Sequence, residues 1–224
     1  MTSEPRRPGL LSLVERRPKL TLLMAVVVGL TATAIFQNLP RQGRKLASTP
    51  VVEAVLSDPG SPWAGAAVPD VTVVVFTDYQ CPVCKTTAPA LQRLLAADKG
   101  VRVIFKDWPI LGEASTIGAR AALAADRQEK YLPLHIGLMD APVKLDADQI
   151  RSIAVSAGLD AERLAIDQTA HAAEIEAQLG RHATQAFSLG LRGTPSYLVG
   201  PYLIEGGLDD RGLAQAVRRA RAAP

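Results

Sequence analysis

Cysteine and histidine are scarce in this chain: two cysteines and three histidines in 224 residues. Both cysteines fall in one short stretch, Cys81-Pro82-Val83-Cys84. A structural zinc site needs further ligands, usually Cys or His at close spacing, and His135, His171 and His182 lie far away in sequence. A structural disulfide closing so short a loop would constrain little of the unfolded chain. Excess positive charge is missing from most of the chain. Residues 1–45 hold eight Lys/Arg against two Asp/Glu, leaving 17 against 20 over residues 46–224. So mildly acidic a body does not suggest nucleic-acid binding. No internal repeat or extended low-complexity segment is present, and the length suits one domain plus a targeting segment.

Only one long stretch lacks charge. Leu20–Phe36 is a mostly apolar run of 17 residues, preceded by Arg16, Arg17 and Lys19 and followed by Arg41, Arg44 and Lys45. At about 1.5 Å per residue it reaches about 25 Å, against a hydrocarbon core of about 30 Å. Lys19 snorkelling and Gln37-Asn38-Leu39 lengthen the span. Residues 20–36 therefore read as a transmembrane anchor. A cleavable signal peptide is the alternative, with Ala32-Thr33-Ala34 as its cleavage site, although that site lies inside the apolar run. The basic residues ahead of the run favour a cytoplasmic segment over 1–19. The C-terminal part then faces the periplasm or exterior, where disulfides persist.

Residues 37–50 read as a linker and 51–221 as one domain. Val71–Phe76 is a continuous, largely β-branched run, which predicts a buried central strand. A helical pattern runs from Cys81 to about Ala97, and Val101–Lys106 predicts the next strand. Over about 115–189 no strand is predicted. Helical stretches there break at Pro133, Pro142, Gly158 and Gly180, with Asp146 and Asp160 as N-caps. Ser196–Val199 and Tyr202–Glu205 flank Gly200-Pro201 as a hairpin. A terminal helix carries Leu213, Val217 and Ala220 on one face.

The two cysteines then read as a redox couple that switches between dithiol and disulfide. A strand that delivers Cys81 to a helix N-terminus places it among unpaired N–H groups at the positive end of the helix dipole. Both favour a thiolate. Pro82 suits the first helical turn. Cys81 is expected to be the exposed nucleophile of low pKa, and Cys84, one turn on, the less exposed resolving thiol. Exchange would pass through a mixed disulfide on Cys81.

The stretch Phe76–Lys85 resembles the active-site entry of the thioredoxin superfamily, in its DsbA-like branch. Pro89, the segment Lys106-Asp107-Trp108-Pro109-Ile110-Leu111-Gly112, the helical block, Gly193-Thr194-Pro195-Ser196 and Gly206-Gly207 resemble the same branch. The resemblance covers about residues 50–221. It implies an α/β thioredoxin fold with an inserted helical subdomain, here preceded by one transmembrane helix. It implies a cis Thr194–Pro195 bond beside Cys81, with Thr194 and Pro195 orienting substrate. The implied activity is thiol–disulfide exchange with exported proteins, most simply as a disulfide donor. No organic cofactor or metal is implied. A membrane redox partner, a quinone-linked oxidase or an electron-transferring reductase, would regenerate the pair.

Two departures stand out. Strongly oxidising members carry His between the cysteines, where this chain has Val83. An acidic residue often buried six places before the first cysteine is replaced by Val75. Asp78 reads mainly as a solvated or capping loop residue, and Lys106 as a strand end. The histidines read as helix-surface or core residues, Trp63 and Trp108 as cover for core or site edge, and Arg218-Arg219-Ala220-Arg221 as a solvated helix end. Two further readings stay open. One is a tethered reductase or isomerase of the same fold; the other is a non-catalytic Cu(I)-binding module using the two soft thiolates.

Overall fold

A computed structural model describes residues 22–31, 43–142 and 144–223. The chain divides into two units, Met1–Pro40 and Arg41–Pro224. In the first, residues 22–31 are helical and exposed. Among the described residues no helix is long and apolar enough to cross a membrane. The anchor expected over 20–36 extends past residues 22–31 at both ends, outside the described residues.

The second unit runs β1 (Arg44–Lys45), α1 (Pro50–Leu56), β2 (Trp63–Gly65), β3 (Val71–Thr77), α2 (Pro82–Ala97) and β4 (Val101–Asp107). Then come α3 (Glu113–Ala125), a 3-10 turn (Asp126–Gln128), α4 (Tyr131–Asp140), α5 (Ala147–Ser156), α6 (Ala161–Ala170) and α7 (Ala172–Ser188). β5 (Ser196–Val199), β6 (Tyr202–Glu205) and α8 (Asp210–Arg221) complete it. The strands form one sheet in the order β1-β6-β5-β3-β4-β2. β3 and β4 are parallel, and the other pairs antiparallel. This is a thioredoxin-like α/β fold with a helical block between β4 and β5.

β3 is central because both its faces are apolar. Val71, Val73 and Val75 face the larger core with Ala88 and Leu91 of α2 and Leu213 of α8. Val74 and Phe76 face a second core with Val52 and Val55 of α1, Trp108 and Ala186. The two-residue period of a strand thus sends alternate side chains into separate cores.

Several expectations need correction. Pro133 does not break a helix: it lies in the first turn of α4, where a missing N–H costs nothing. Gly180 lies inside α7, whose buried Ile175, Leu179 and Ala186 outweigh the glycine's cost of about 1 kcal/mol. The expected linker over 37–50 is partly sheet, since Arg44 and Lys45 pair with Leu203 and Tyr202. Arg221 is not a free solvated end but binds Asp70 and Asp98 at 2.8 and 2.7 Å. Lys106 does more than end a strand: it is fully buried and ion-paired with Asp58. Asp146 and Asp160 cap α5 and α6, the former in a capping box with Gln149.

Candidate functional site

β3 and β5 run antiparallel, with Phe76 opposite Ser196. The chain leaving β3 and the chain entering β5 therefore meet at one end of the central strands. The first carries Cys81; the second carries Gly193-Thr194-Pro195. Cys81 is the N-cap of α2, and its amide donates to the Asp78 carbonyl at 3.1 Å. Its Sγ accepts from the Cys84 amide at 3.4 Å. The Cys81 thiol donates to the Thr194 carbonyl at 3.3 Å. The Thr194–Pro195 peptide is cis, the geometry the resemblance implied.

Both thiols are free and buried, Cys81 at 6% and Cys84 at 2% exposure. The expected exposed Cys81 is thus corrected: the Thr194 carbonyl and the first turn of α2 cover its sulfur. Pro82 and Val83 are the exposed members of the motif, Val83 at 46%. Burial pushes the Cys84 thiol up to about 12; the Cys81 sulfur adds to this, while hydrogen bonds from the Asp78 backbone and the Thr77 side chain oppose it. Gly207 lies against α2. A Cβ there would fall 2.7 Å from Thr87 Cγ2 and 2.9 Å from Val83 Cγ1.

Asp78 is not a solvated loop residue but is 1% exposed. Its carboxylate accepts from the amides of Gln80 (2.7 Å), Ile110 (2.7 Å) and Leu111 (3.1 Å) and from Ser115 Oγ (2.7 Å). It ties the loop before Cys81 to the loop after β4 and to α3.

Sequence reasoning missed a buried polar group at the end of β4. Asp107 lies beside Thr77 in the β3–β4 register and is fully buried. Tyr131 Oη donates to Asp107 Oδ1 at 3.0 Å, while Oδ2 has no partner. Tyr79 Oη lies 3.5 Å from Tyr131 Oη and 2.9 Å from His135 Nδ1. Burial pushes Asp107 up to about 7, with Asp78 and Asp126 adding and the nearby hydroxyls of Tyr79 and Tyr131 opposing. Burial pushes His135 down to about 3. A cavity of about 10 Å³ is lined by Thr77, Cys84, His135, Pro195 and Tyr197 among others. The signal in the sequence was two adjacent charges, Lys106-Asp107, closing an apolar strand run; each turns to a different core.

On the opposite face, Lys106 Nζ donates to Asp58 and to Ser61 Oγ (2.8 Å), and Ser61 Oγ lies 2.9 Å from His182 Nε2. Burial opposes ionisation of Asp58, but the Lys106 hydrogen bond and charge, with Gly60 and Gln185, leave it at about 2. The histidines His135 and His182 are core residues, as expected. Trp108 packs on Phe76 and Phe187 in the second core, whereas Trp63 is half exposed under Arg102. A cavity of about 650 Å³ lies among residues 59–63, the end of α3 and α7, and contains neither cysteine.

The DSBA-like thioredoxin domain family matches residues 72–218. The chain belongs to this family. The domain is a thiol–disulfide oxidoreductase of DsbA-like type. It is similar to a thioredoxin-like oxidoreductase from Silicibacter pomeroyi, at 41% identity and a TM-score of 0.72 over 77% of this chain and 98% of that one. A periplasmic thioredoxin-like protein from Salmonella enterica serovar Typhimurium is 31% identical, with a TM-score of 0.67 over 79% and 99%. The thiol–disulfide exchange protein α-DsbA2 of Wolbachia pipientis is 28% identical, with a TM-score of 0.71 over 75% and 90%. The chain spans 22% and 33% of the lengths of two Na(+)/H(+) antiporters, of Salinispora tropica and Salinispora arenicola, that it matches among curated relatives.

Proposed function

We propose that Cys81 and Cys84 are the redox pair of this oxidoreductase and that the protein donates disulfides to exported proteins. One observation carries the reading. Cys81 Sγ lies at the N-cap of α2, between the Cys84 amide and the Thr194 carbonyl. In the oxidised pair, a substrate thiolate attacks Cys81 Sγ and Cys84 leaves with the S–S electron pair. A second substrate thiolate then attacks the substrate sulfur of the mixed disulfide and releases Cys81. The substrate loses two electrons and two protons; the pair gains them. The N-cap amides and helix dipole stabilise the departing Cys81 thiolate, which favours donation.

Thr194 and Pro195 orient the substrate backbone beside Cys81, and Pro82 and Val83 form the first turn that presents it. Residues 20–36 anchor the chain in the membrane, and residues 51–221 stand on the extracytoplasmic side. A membrane redox partner returns the pair to the disulfide. The periplasmic relative from Salmonella enterica supports that placement.

The test is oxidation of a reduced, unfolded protein by stoichiometric oxidised chain. Wild type should transfer its disulfide and Cys81→Ser should transfer none, while Cys84→Ser, given oxidised glutathione, should release one glutathione thiol and hold the other half as a mixed disulfide on Cys81. Transfer by Cys81→Ser would overturn the reading.

A further inference from the structure

β2 ends the sheet and pairs only with β4 among the described residues. In an antiparallel pair the backbone groups of alternate residues turn toward the neighbouring strand. The Phe105 amide donates to the Pro62 carbonyl, and the Ala66 amide to the Val101 carbonyl, both at 2.9 Å. Pro62, Ala64 and Ala66 therefore turn toward β4. The N–H and C=O groups of Trp63 and Gly65 turn outward, where the sheet stops. Edge strands are ordinarily guarded by charged side chains or covered by another element. β2 is Trp63-Ala64-Gly65, without a charge, and its two outward residues are exposed.

The same edge adjoins a cavity. The loop leading into β2, the end of α3 and one face of α7 surround about 650 Å³, with Pro59, Pro62, Trp63, Ile175, Gln178 and Arg181 among the walls. Gln178 Nε2 donates to the Gly60 carbonyl at 2.5 Å and braces the loop against α7. The Arg102 guanidinium lies 4.5 Å from the centre of the Trp63 ring and donates to the carbonyls of Ala66 and Ala67. Loop, ring and helix are thus held in place before any ligand arrives.

The charges here do not cancel. Arg127 pairs with Glu174, and Lys106 with Asp58. Arg102 spends its donors on carbonyls rather than on a carboxylate. Arg181 is exposed and makes neither an ion pair nor a hydrogen bond among the described residues. Against these two cations stands the single carboxylate of Asp126.

We propose that β2 and the adjoining cavity form a docking site for an extended, acidic segment of a partner protein. Strand addition takes its affinity from backbone hydrogen bonds and its specificity from pockets for alternate side chains. The outward N–H and C=O groups of Trp63 and Gly65 supply the first. The cavity supplies the second. A strand that continues past Trp63 along Pro62 and Gly60 brings a carboxylate to Arg181. Alternate side chains share a face of a strand, so the next one on that face meets the Trp63 ring. The site contains neither cysteine, and it holds a partner rather than reacting with it.

The experiment titrates the full chain into a short fluorescein-labelled peptide of alternating valine and glutamate and reads its anisotropy. The peptide has no cysteine, so the redox pair takes no part. It should bind, and about 10-fold more weakly when lysine replaces glutamate. Methylating the peptide's backbone nitrogens removes its N–H donors without touching the protein, and should weaken binding by about 10-fold as well. Arg181→Glu, at an exposed position, should reverse the preference, so that the lysine peptide binds the tighter. A Kd above about 1 mM for the glutamate peptide would overturn the proposal. So would binding that N-methylation leaves unchanged, or a preference that Arg181→Glu leaves unchanged. A chain that self-associates and sheds the peptide as it does so would give this edge to a second copy, and overturn the proposal too.

Discussion

Val83 stands between the cysteines on the first turn of α2, half exposed, with nothing to offer a thiolate. Replacing it with His places a cation beside the Cys81 sulfur whenever the ring is protonated. One pKa unit of added thiolate stabilisation is about 1.36 kcal/mol, or about 30 mV for a two-electron couple. Val83→His should raise the reduction potential by about 30–60 mV. Equilibration with glutathione buffers measures it, and an unchanged potential would show that position 83 does not act on the sulfur. His135 and His182 govern acid stability. Their folded values are near 3, against an ordinary 6.5, so the unfolded chain takes up protons first and stability falls with acid. Asp107 opposes them: its folded value near 7 exceeds the ordinary 3.8, so its contribution is full at low pH and lost as pH rises to 7. Two histidines against one carboxyl leave a net slope of one proton. Stability should drop by about 1.4 kcal/mol per unit between about pH 6 and pH 4. Asp58, held at about 2, adds a further loss as pH falls from 3.8. Denaturant titrations across that range should show the slope, and His182→Gln should flatten it; a slope that persists in the variant would contradict the assignment.

At the scale of elements, two polar ties hold the site end and the far end of the sheet, and they differ in weight. Asp78, itself buried, joins the loop into α2, the loop after β4 and α3 through four donors. Asp78→Ala should cost about 3–5 kcal/mol, because the donors are left unpaired. Arg221 ties the end of α8 to Asp70 and Asp98 at the surface. Arg221→Ala should cost no more than about 1 kcal/mol and less in high salt. Unfolding midpoints of the two variants decide it, and equal losses would contradict the ranking. The strands and helices themselves were legible in the sequence wherever periodicity and β-branching agreed: Val71–Phe76, Val101–Lys106, the hairpin around Gly200-Pro201 and the caps Asp146 and Asp160. The helix breaks were misread at Pro133 and Gly180, because a residue's local preference says nothing of its place within a turn or the burial of its neighbours.

Over the whole molecule, the thioredoxin-like fold could be read because its pieces carry local signals in a fixed order. The candidate site could be read only in part. Cys81 and Thr194 are 113 residues apart and meet because β3 and β5 are paired neighbours within the sheet. Asp107, Tyr131, Tyr79 and His135 carry no motif; the packing of Tyr131 and His135 of α4 on Phe105 of β4 brings them together. Asp58 and Lys106 form a pair across 48 residues because β2, which follows Asp58, pairs with β4. The reduction potential of the Cys81–Cys84 pair in the full chain decides the direction of the chemistry. The helix N-terminus around Cys81 predicts a potential on the oxidising side of about −180 mV, toward the DsbA value of about −120 mV. A potential near that of thioredoxin, about −270 mV, would contradict disulfide donation and make the chain a reductase.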